Sequence, residues 1–182
     1  MSASTPYISP QESALLRSLN TQSNAIERQQ QLPILGSRPL TLGFDISTAC
    51  NCNCIFCLAD SGRKRRSDPT AFRDPDWLDN FESLLPFINL GIFSSYEAVL
   101  NPRFDEFVLR MHRYRTPFQL FTNGKAVTPE LSQYMLSHGL QSIHCSVHGA
   151  KPETYEAIMQ GNRFSQTLEN LILLCCVGTL CG

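Results

Sequence analysis

Residues 40–58 read LTLGFDISTACNCNCIFCL, and this stretch decides how the rest of the chain is interpreted. Residues 40–47 predict a first β-strand. The strand runs directly into a loop that holds four cysteines within eight residues, Cys50, Cys52, Cys54 and Cys57. The chain has eight cysteines in all, so half of them lie in this one short loop and their spacing carries most of the information.

Three of these cysteines, Cys50, Cys54 and Cys57, follow the spacing C-x3-C-x2-C. Thiolate is the soft ligand that iron–sulfur clusters require, and three thiolates on one loop can hold three irons of a [4Fe–4S] cube. The fourth iron then keeps an open position for a substrate or cofactor, which distinguishes a catalytic cluster from an electron-transfer cluster. Cys52 fits neither interval, so we interpret it as a bystander thiol, with an auxiliary role left open.

Two other interpretations of the cysteines stay open at this stage. A structural zinc site usually draws four ligands from two separated pairs, and here the second pair is missing because Cys145 and Cys175 are isolated. The cysteines could also have no metal role. A disulfide framework is disfavoured, because residues 1–10 lack the charged and apolar regions of a secretion signal and cytosolic thiols stay reduced.

Composition narrows the class of protein. A length of 182 residues fits one domain, or one domain with an appendage. Fifteen Lys and Arg against sixteen Asp and Glu give a net charge of −1, so the overall field does not attract nucleic acid or a membrane surface. No apolar run reaches the ~18 residues that a membrane span needs. We therefore expect a soluble, cytoplasmic protein that binds neither nucleic acid nor membrane.

Strands and helices alternate after the cysteine loop. Further strands are predicted at residues 88–93, 118–121 and 142–147, and helices begin at the caps Asp74-Pro75, Asn101-Pro102 and Thr128-Pro129, with two more at residues 151–159 and from Phe164. Such repeats favour a parallel α/β sheet, either doubly wound or closing into a barrel. Four units are visible, and a complete eight-fold barrel takes about 250 residues. We interpret the apolar end, residues 171–182, as a truncated or frameshifted end, with a buried helix end as the alternative.

The first forty residues differ from the rest. Ser9-Pro10-Gln11-Glu12 has the form of a helix capping box, and a helix with apolar residues on one side is predicted to follow it. That side carries Leu15, Leu16, Leu19 and Ile26. We assign residues 1–39 to an N-terminal helical extension and linker, and residues 40–182 to the core.

The cysteine loop resembles the signature of the radical S-adenosylmethionine (radical SAM) enzymes, C-x3-C-x-aromatic-C, with Phe56 in the aromatic position. Ser95-Tyr96-Glu97 stands where that family has Gly-Gly-Glu after its second strand. Thr122-Asn123-Gly124 matches the turn after the third strand, and Ser146-Val147-His148-Gly149 resembles the Ser-x-Asp-Gly end of the fourth. The resemblance covers residues 40–174; its first motif is strongly specific, and the others are weak alone but follow in the family's order.

The resemblance implies a partial (β/α) barrel of about four βα units, incomplete at its C-terminus. It also implies a [4Fe–4S] cluster ligated by Cys50, Cys54 and Cys57 and an S-adenosyl-L-methionine molecule on the open iron. In this family one electron cleaves S-adenosylmethionine to methionine and a 5′-deoxyadenosyl radical, which abstracts hydrogen from a substrate. The implied partners are S-adenosylmethionine, an electron donor such as flavodoxin or ferredoxin, and an unknown substrate. The resemblance implies that the substrate is a peptide or a small molecule, and that the reaction belongs to peptide modification or cofactor biosynthesis.

The same resemblance assigns cofactor contacts to four residues. Phe56 would lie beside the adenine, Glu97 would hold the methionine ammonium, and Thr122 and Ser146 would hydrogen-bond the ribose or carboxylate. Glu97 can pair with an ammonium at low cost only if it is partly exposed in a cleft, and the alternative is a solvated carboxylate at the start of a loop.

Several positions depart from the family pattern or have no assigned role. Tyr96 replaces a glycine whose torsions tyrosine resists, so its side chain is expected to point away from the cofactor. His148 replaces the aspartate and is interpreted as a loop histidine, with a substrate contact as the alternative. His144 is expected to be a hydrogen-bonded histidine of the barrel interior. The basic run Arg63-Lys64-Arg65-Arg66 is interpreted as a solvated loop, or else as an attractor of an anionic substrate.

Three function classes follow. The first is a radical SAM enzyme or an inactive truncated fragment of one. The second is a noncatalytic iron–sulfur protein that transfers electrons or senses iron and redox state. The third is a zinc-stabilised interaction module.

Overall fold

The structure, a computed structural model, describes residues 8–57 and 75–180. It contains six α-helices and four β-strands in these ranges. In chain order they are α1 (Pro10–Gln29), β1 (Thr41–Phe44), α2 (Pro75–Leu84), β2 (Leu90–Phe93), α3 (Phe104–Arg113), β3 (Phe118–Thr122), α4 (Pro129–Ser137), β4 (Leu140–Cys145), α5 (Pro152–Ile158) and α6 (Phe164–Leu180). The described helices include none long and apolar enough to cross a membrane. The basic run at residues 63–66 lies outside the described residues.

The four strands form one parallel sheet in the order β1-β2-β3-β4. Each strand therefore pairs with the next one along the chain, and a helix connects each pair. A doubly wound sheet would change direction at a switch point within the strand order. The observed order advances in one direction throughout, which is the arrangement of a partial (β/α) barrel and decides between the two predicted architectures.

The core lies between the sheet and the helices α2 and α3. Four residues of α3 are buried as their spacing predicts, Phe104, Phe107, Val108 and Met111. Phe44 of β1 contacts both Phe81 of α2 and Phe93 of β2, with ring centroids 4.8 and 4.6 Å apart. Gly91 leaves room for the Met111 side chain of α3, because a Cβ at this position would overlap the Met111 Cε atom.

Two predicted boundaries need correction. The fourth strand runs from Leu140 to Cys145 rather than over residues 142–147, because its pairing with β3 begins at Leu140, opposite Phe118, and ends at Cys145, opposite Thr122. Helix α3 begins at Phe104 rather than directly at the Asn101-Pro102 pair. The Asn101 side chain does not cap it; it is buried, donates to the Ile46 carbonyl and accepts from the Arg103 N–H.

Helix α1 begins at the predicted capping box. Glu12 N–H donates to the Ser9 hydroxyl at 3.2 Å, and Ser9 N–H donates to the Glu12 carboxylate at 2.8 Å. The apolar residues Leu15, Leu19 and Ile26 are exposed, and the helix docks through its polar side instead. That side donates to carbonyls that precede the strands: Ser13 and Arg17 to Tyr114 O, Arg17 to Arg115 O, and Asn20 to Phe87 O and Arg38 O. Helix α1 therefore covers the amino-terminal ends of the strands, opposite the cysteine loop.

Candidate cofactor site

The predicted motifs lie at the carboxyl ends of the four strands, and the structure brings the first three of them into contact. Glu97 N–H, after β2, donates to the Ala49 carbonyl at the start of the cysteine loop, at 3.0 Å. The Thr122 hydroxyl, at the end of β3, donates to Glu97 Oε1 at 2.6 Å. Asn123 N–H donates to Glu97 Oε2 at 2.9 Å. Glu97 therefore joins the loops that follow β1, β2 and β3: its backbone N–H bonds to the cysteine loop, and its carboxylate bonds to the end of β3.

Glu97 is completely buried, with 0% of its surface exposed. Both the solvated carboxylate and the partly exposed one expected from the sequence are therefore wrong, because the Thr122 hydroxyl and the Asn123 amide cover the two oxygens. Burial raises the pKa of Glu97 from 4.5 to about 7, and these two hydrogen bonds offset only part of the effect. Negative charge at Cys50 acts in the same direction as burial.

Tyr96 occupies the place of the second glycine in the family pattern and adopts a backbone conformation typical of glycine. Its φ angle is +55°, in the left-handed region, which costs a residue with a Cβ about 1–2 kcal/mol. Its side chain is 36% exposed. The chain thus keeps the backbone turn that precedes Glu97 although the residue at the turn is a tyrosine.

The cysteine loop separates Cys52 from the three cysteines of the predicted ligand set. Cys50, Cys54 and Cys57 are half-buried, whereas Cys52 is buried, with 2% of its surface exposed. A hydrogen bond shared with Cys50, together with burial, raises the pKa of Cys52 well above its usual range. Cys52 is thus a buried, protonated thiol in the metal-free protein, and its assignment as a bystander stays a prediction.

The ligand set suits an iron–sulfur cluster in its donor chemistry. Three half-buried thiols lie on one loop, and the Asn123 side-chain amide donates to the Cys50 sulfur at 3.7 Å and to Asn51 Oδ1 at 2.7 Å. Across residues 8–57 and 75–180, no three or more His, Cys, Asp or Glu side chains converge as around a single metal ion. The ligands of a cubane are spread over different irons, so its thiolates need not meet at one point.

The remaining predicted cofactor contacts lie nearby. Phe56 is half exposed and packs edge-on against His148, with ring centroids 4.7 Å apart, which brings the end of the cysteine loop against the segment after β4. Ser146 is half-buried, and its N–H donates to the Thr122 carbonyl at 2.9 Å. The hydroxyl of Thr122 already donates to Glu97, so it orients that carboxylate.

Two side chains near the strand ends have no assigned role. His144 is exposed and stacks on Phe121 of the neighbouring strand, with centroids 4.4 Å apart and planes 9° from parallel, rather than facing a closed interior. Burial, reinforced by the charge of Glu97, raises the pKa of Cys145 to about 11. Cys145 is thus a protonated thiol on the packed side of β4.

Sequence patterns do not indicate the residues that hold the cysteine loop from the other side. Asn53 N–H donates to Gln160 O at 2.6 Å, and Ile55 N–H donates to Ile158 O at 3.1 Å. Lys125 Nζ donates to Asn51 O at 3.3 Å and to Gly161 O at 2.6 Å. The two residues in each of these hydrogen bonds are more than thirty residues apart in the chain, so no local pattern indicates the bonds. The one sequence signal is the position of Lys125, directly after the Thr122-Asn123-Gly124 turn.

Comparison with known proteins gives consistent matches. A profile described as the Radical SAM superfamily matches residues 44–179. The mycofactocin maturase MftC of Mycobacterium tuberculosis is 26% identical over 141 residues, covering 77% of this chain and 35% of MftC. The AdoMet-dependent heme synthase of Methanosarcina barkeri is 28% identical over 144 residues, covering 75% of this chain and 39% of the synthase. This chain therefore spans little more than a third of the length of these curated relatives.

Solved structures show the same fold. Streptococcus suis SuiB, crystallised with S-adenosylmethionine, matches with a TM-score of 0.64 at 17% identity, covering 87% of this chain and 36% of SuiB. The structure of anSMEcpe with bound AdoMet matches with a TM-score of 0.61 at 19% identity, covering 78% of this chain and 42% of anSMEcpe. The family profile matches three quarters of this chain, and the parallel sheet in sequential order with a cysteine loop after its first strand agrees with that match. This chain belongs to the radical SAM superfamily.

Proposed function

We propose that this chain holds a [4Fe–4S] cluster on Cys50, Cys54 and Cys57, binds S-adenosylmethionine beside it, and acts as a radical SAM enzyme. The observation that carries the proposal is the network around Glu97. Ala49, Thr122 and Asn123 all bond to this one residue, and Asn123 in turn donates to the sulfur of Cys50. One predicted cluster ligand, Cys50, is thus connected through Asn123 to two predicted cofactor contacts, Glu97 and Thr122.

When bound, the cluster supplies one electron that cleaves S-adenosylmethionine to methionine and a 5′-deoxyadenosyl radical, which takes hydrogen from a substrate. The residues of this chain bind and orient the reactants. Phe56 offers an exposed aromatic ring for the adenine, and Ser146 offers a hydrogen-bonding group for the ribose or carboxylate. Thr122 is proposed to contact the ribose or carboxylate as well, and its hydroxyl orients the Glu97 carboxylate.

Glu97 is proposed to contribute the charge that a methionine ammonium needs, and the ammonium then has to approach a buried carboxylate whose oxygens already accept from Thr122 and Asn123. In the protein as described, burial favours its protonated form near neutral pH. An ammonium placed beside it favours the ionised form, because an opposite charge at short range lowers the pKa of a carboxylic acid. Binding of the cofactor would therefore be coupled to the loss of a proton from Glu97.

The substrate is proposed only by class. SuiB has been crystallised bound to its precursor peptide SuiA. The two curated relatives named above are a maturase and a heme synthase. On these grounds we propose that the substrate of this chain is a peptide or a small molecule, and that a flavodoxin or ferredoxin supplies the electron.

Anaerobic reconstitution tests the proposal. The protein is loaded with iron and sulfide, reduced with dithionite in the presence of S-adenosylmethionine, and assayed for 5′-deoxyadenosine and methionine. About four irons and four sulfides per chain and release of both products are expected. Bound iron and sulfide without either product would support a noncatalytic iron–sulfur protein instead, and zinc without sulfide would support a zinc-stabilised module.

A matched pair of variants tests the ligand assignment. Cys54→Ser removes a proposed ligand and is expected to lose the cluster, because a serine hydroxyl is a poor substitute for a soft thiolate. Cys52→Ser changes the same chemical group two residues away and is expected to keep the cluster. Equal loss in both variants would contradict the assignment.

A further inference from the structure

The cysteine loop is held against residues 158–163, which comprise the last residue of α5 and the connection to α6 and are called the α5–α6 turn below. Backbone bonds join Asn53 to Gln160 and Ile55 to Ile158, so alternate residues of the loop donate to alternate residues of the turn, as in one side of an antiparallel ladder. Cys54 lies between the two bonds on the loop, and its sulfur contacts the Met159 sulfur at 3.4 Å. The turn therefore fixes the direction of the backbone that carries the middle cysteine.

Lys125 joins the two segments from a third direction. Its ammonium donates to Asn51 O in the loop and to Gly161 O in the turn, and its side chain is half-buried. Bonds that involve a charged donor are stronger than neutral ones. The turn itself is tied to the end of β3, because the Asn162 side chain donates to the Asn123 carbonyl at 3.0 Å.

We propose that Lys125 is a positioning residue for the cysteine loop: its ammonium bridges the loop to the α5–α6 turn and holds a positive charge beside the cluster ligands. The bridge keeps the loop paired with the turn, so that the ligand-bearing backbone is ordered before iron and sulfide bind. This inference rests on the proposed function only in its second part, the effect of the charge on a cluster.

The positive charge of Lys125 affects the reduction potential of a cluster bound to the loop. Reduction adds one electron to the cluster and its thiolates, and a nearby cation stabilises the more negative state. With the Lys125 ammonium held at Asn51 O, within the loop itself, the reduction potential is raised. Removal of the charge shifts it to more negative values.

Hydrogen exchange of the metal-free protein tests the bridge without any cluster. Lys125→Met is expected to speed exchange of the Asn53 and Ile55 amides about tenfold, because a hydrogen bond from a charged group is lost at the pairing they depend on. Lys125→Arg keeps the charge and the donors and is expected to restore slow exchange. Lys151→Met removes an exposed lysine at the start of α5 and serves as the matched control, with no change expected. Unchanged amides of β3 show that each variant is folded.

Two results would overturn the bridge: parent-like exchange in Lys125→Met, or the same increase in Lys151→Met. Redox titration of the loaded protein, followed by electron paramagnetic resonance, tests the charge. Lys125→Met is expected to shift the midpoint to a more negative potential. The midpoints of Lys125→Arg and Lys151→Met are expected to stay near that of the parent. An unchanged midpoint in Lys125→Met would overturn the electrostatic role. If no variant and no parent protein takes up a cluster, the proposed function fails while the exchange result still decides the bridge.

Discussion

The buried carboxylate of Glu97 makes a prediction about how stability depends on pH. Its pKa is raised from 4.5 to about 7 in the folded protein, whereas in the unfolded chain it returns to its ordinary value. Between these two pH values the folded state holds a proton that the unfolded state has released. The free energy of unfolding therefore falls as pH rises through this window. At about 1.4 kcal/mol per pKa unit, the full contribution is about 3 kcal/mol.

Urea unfolding of the metal-free, reduced protein measures this effect between about pH 4 and pH 8, with Glu97→Gln as the comparison. The amide cannot titrate, and it offers one acceptor oxygen where the carboxylate offers two, to the Thr122 hydroxyl and Asn123 N–H, so the variant carries a cost that does not depend on the titration of residue 97. The measured quantity is the difference in the free energy of unfolding between the parent and Glu97→Gln, followed as a function of pH. The stability of the parent relative to Glu97→Gln is expected to fall by about 3 kcal/mol across the range.

Glu106→Gln is the matched control at an exposed position. A hydrogen bond from Arg103 lowers the pKa of Glu106, so its small contribution has the opposite sign and is lost as pH falls. A flat difference between the parent and Glu97→Gln would refute the burial of an uncharged Glu97. A difference that rises with pH would refute the direction of the shift.

Three further predictions concern the packing around the site. Tyr96→Gly is expected to be about 1 kcal/mol more stable than Tyr96→Ala in urea unfolding, because only glycine adopts a φ of +55° without cost; the reverse order would contradict the left-handed conformation. Gly91→Ala is expected to lose about 1 kcal/mol, because the flexible end of the Met111 side chain must shift to make room for the new methyl group. In a Met111→Ala background, Gly91→Ala is expected to cost less, and equal costs in the two backgrounds would show that the two side chains do not touch. Thr122→Val is expected to lose about 1–3 kcal/mol of unfolding free energy at about pH 8 and less at about pH 4, because the ionised Glu97 carboxylate depends most on the hydroxyl. An equal loss at both pH values would contradict this dependence.

The sequence was sufficient for features with a local cause. The capping box at Ser9 and the cap at Thr128 predict where α1 and α4 begin, because the side chain and its backbone partner lie within three residues of each other. The helical spacing of Phe104, Phe107 and Met111 predicts the buried side of α3 for the same reason. The order of the motifs along the chain predicts the strand ends that carry the site.

Features that depend on distant partners could not be predicted in this way. The register of β4 is set by an irregularity against β3, which no local pattern indicates. The polar docking of α1 depends on carbonyls at Phe87 and Tyr114, far along the chain. The sequence predicts a partly exposed Glu97, whereas its burial follows from the Thr122-Asn123 turn that folds over it.

The most direct test of the central claim is the electron paramagnetic resonance spectrum of the anaerobically reconstituted and reduced protein, recorded with and without S-adenosylmethionine. Three thiolate ligands leave one iron accessible, so the spectrum of a reduced [4Fe–4S] cluster is expected to change on addition of S-adenosylmethionine. The same change is expected in Cys52→Ser, while Cys54→Ser gives no cluster signal. A parent protein that takes up no cluster, or a cluster whose spectrum is unaffected by saturating S-adenosylmethionine, would contradict the account.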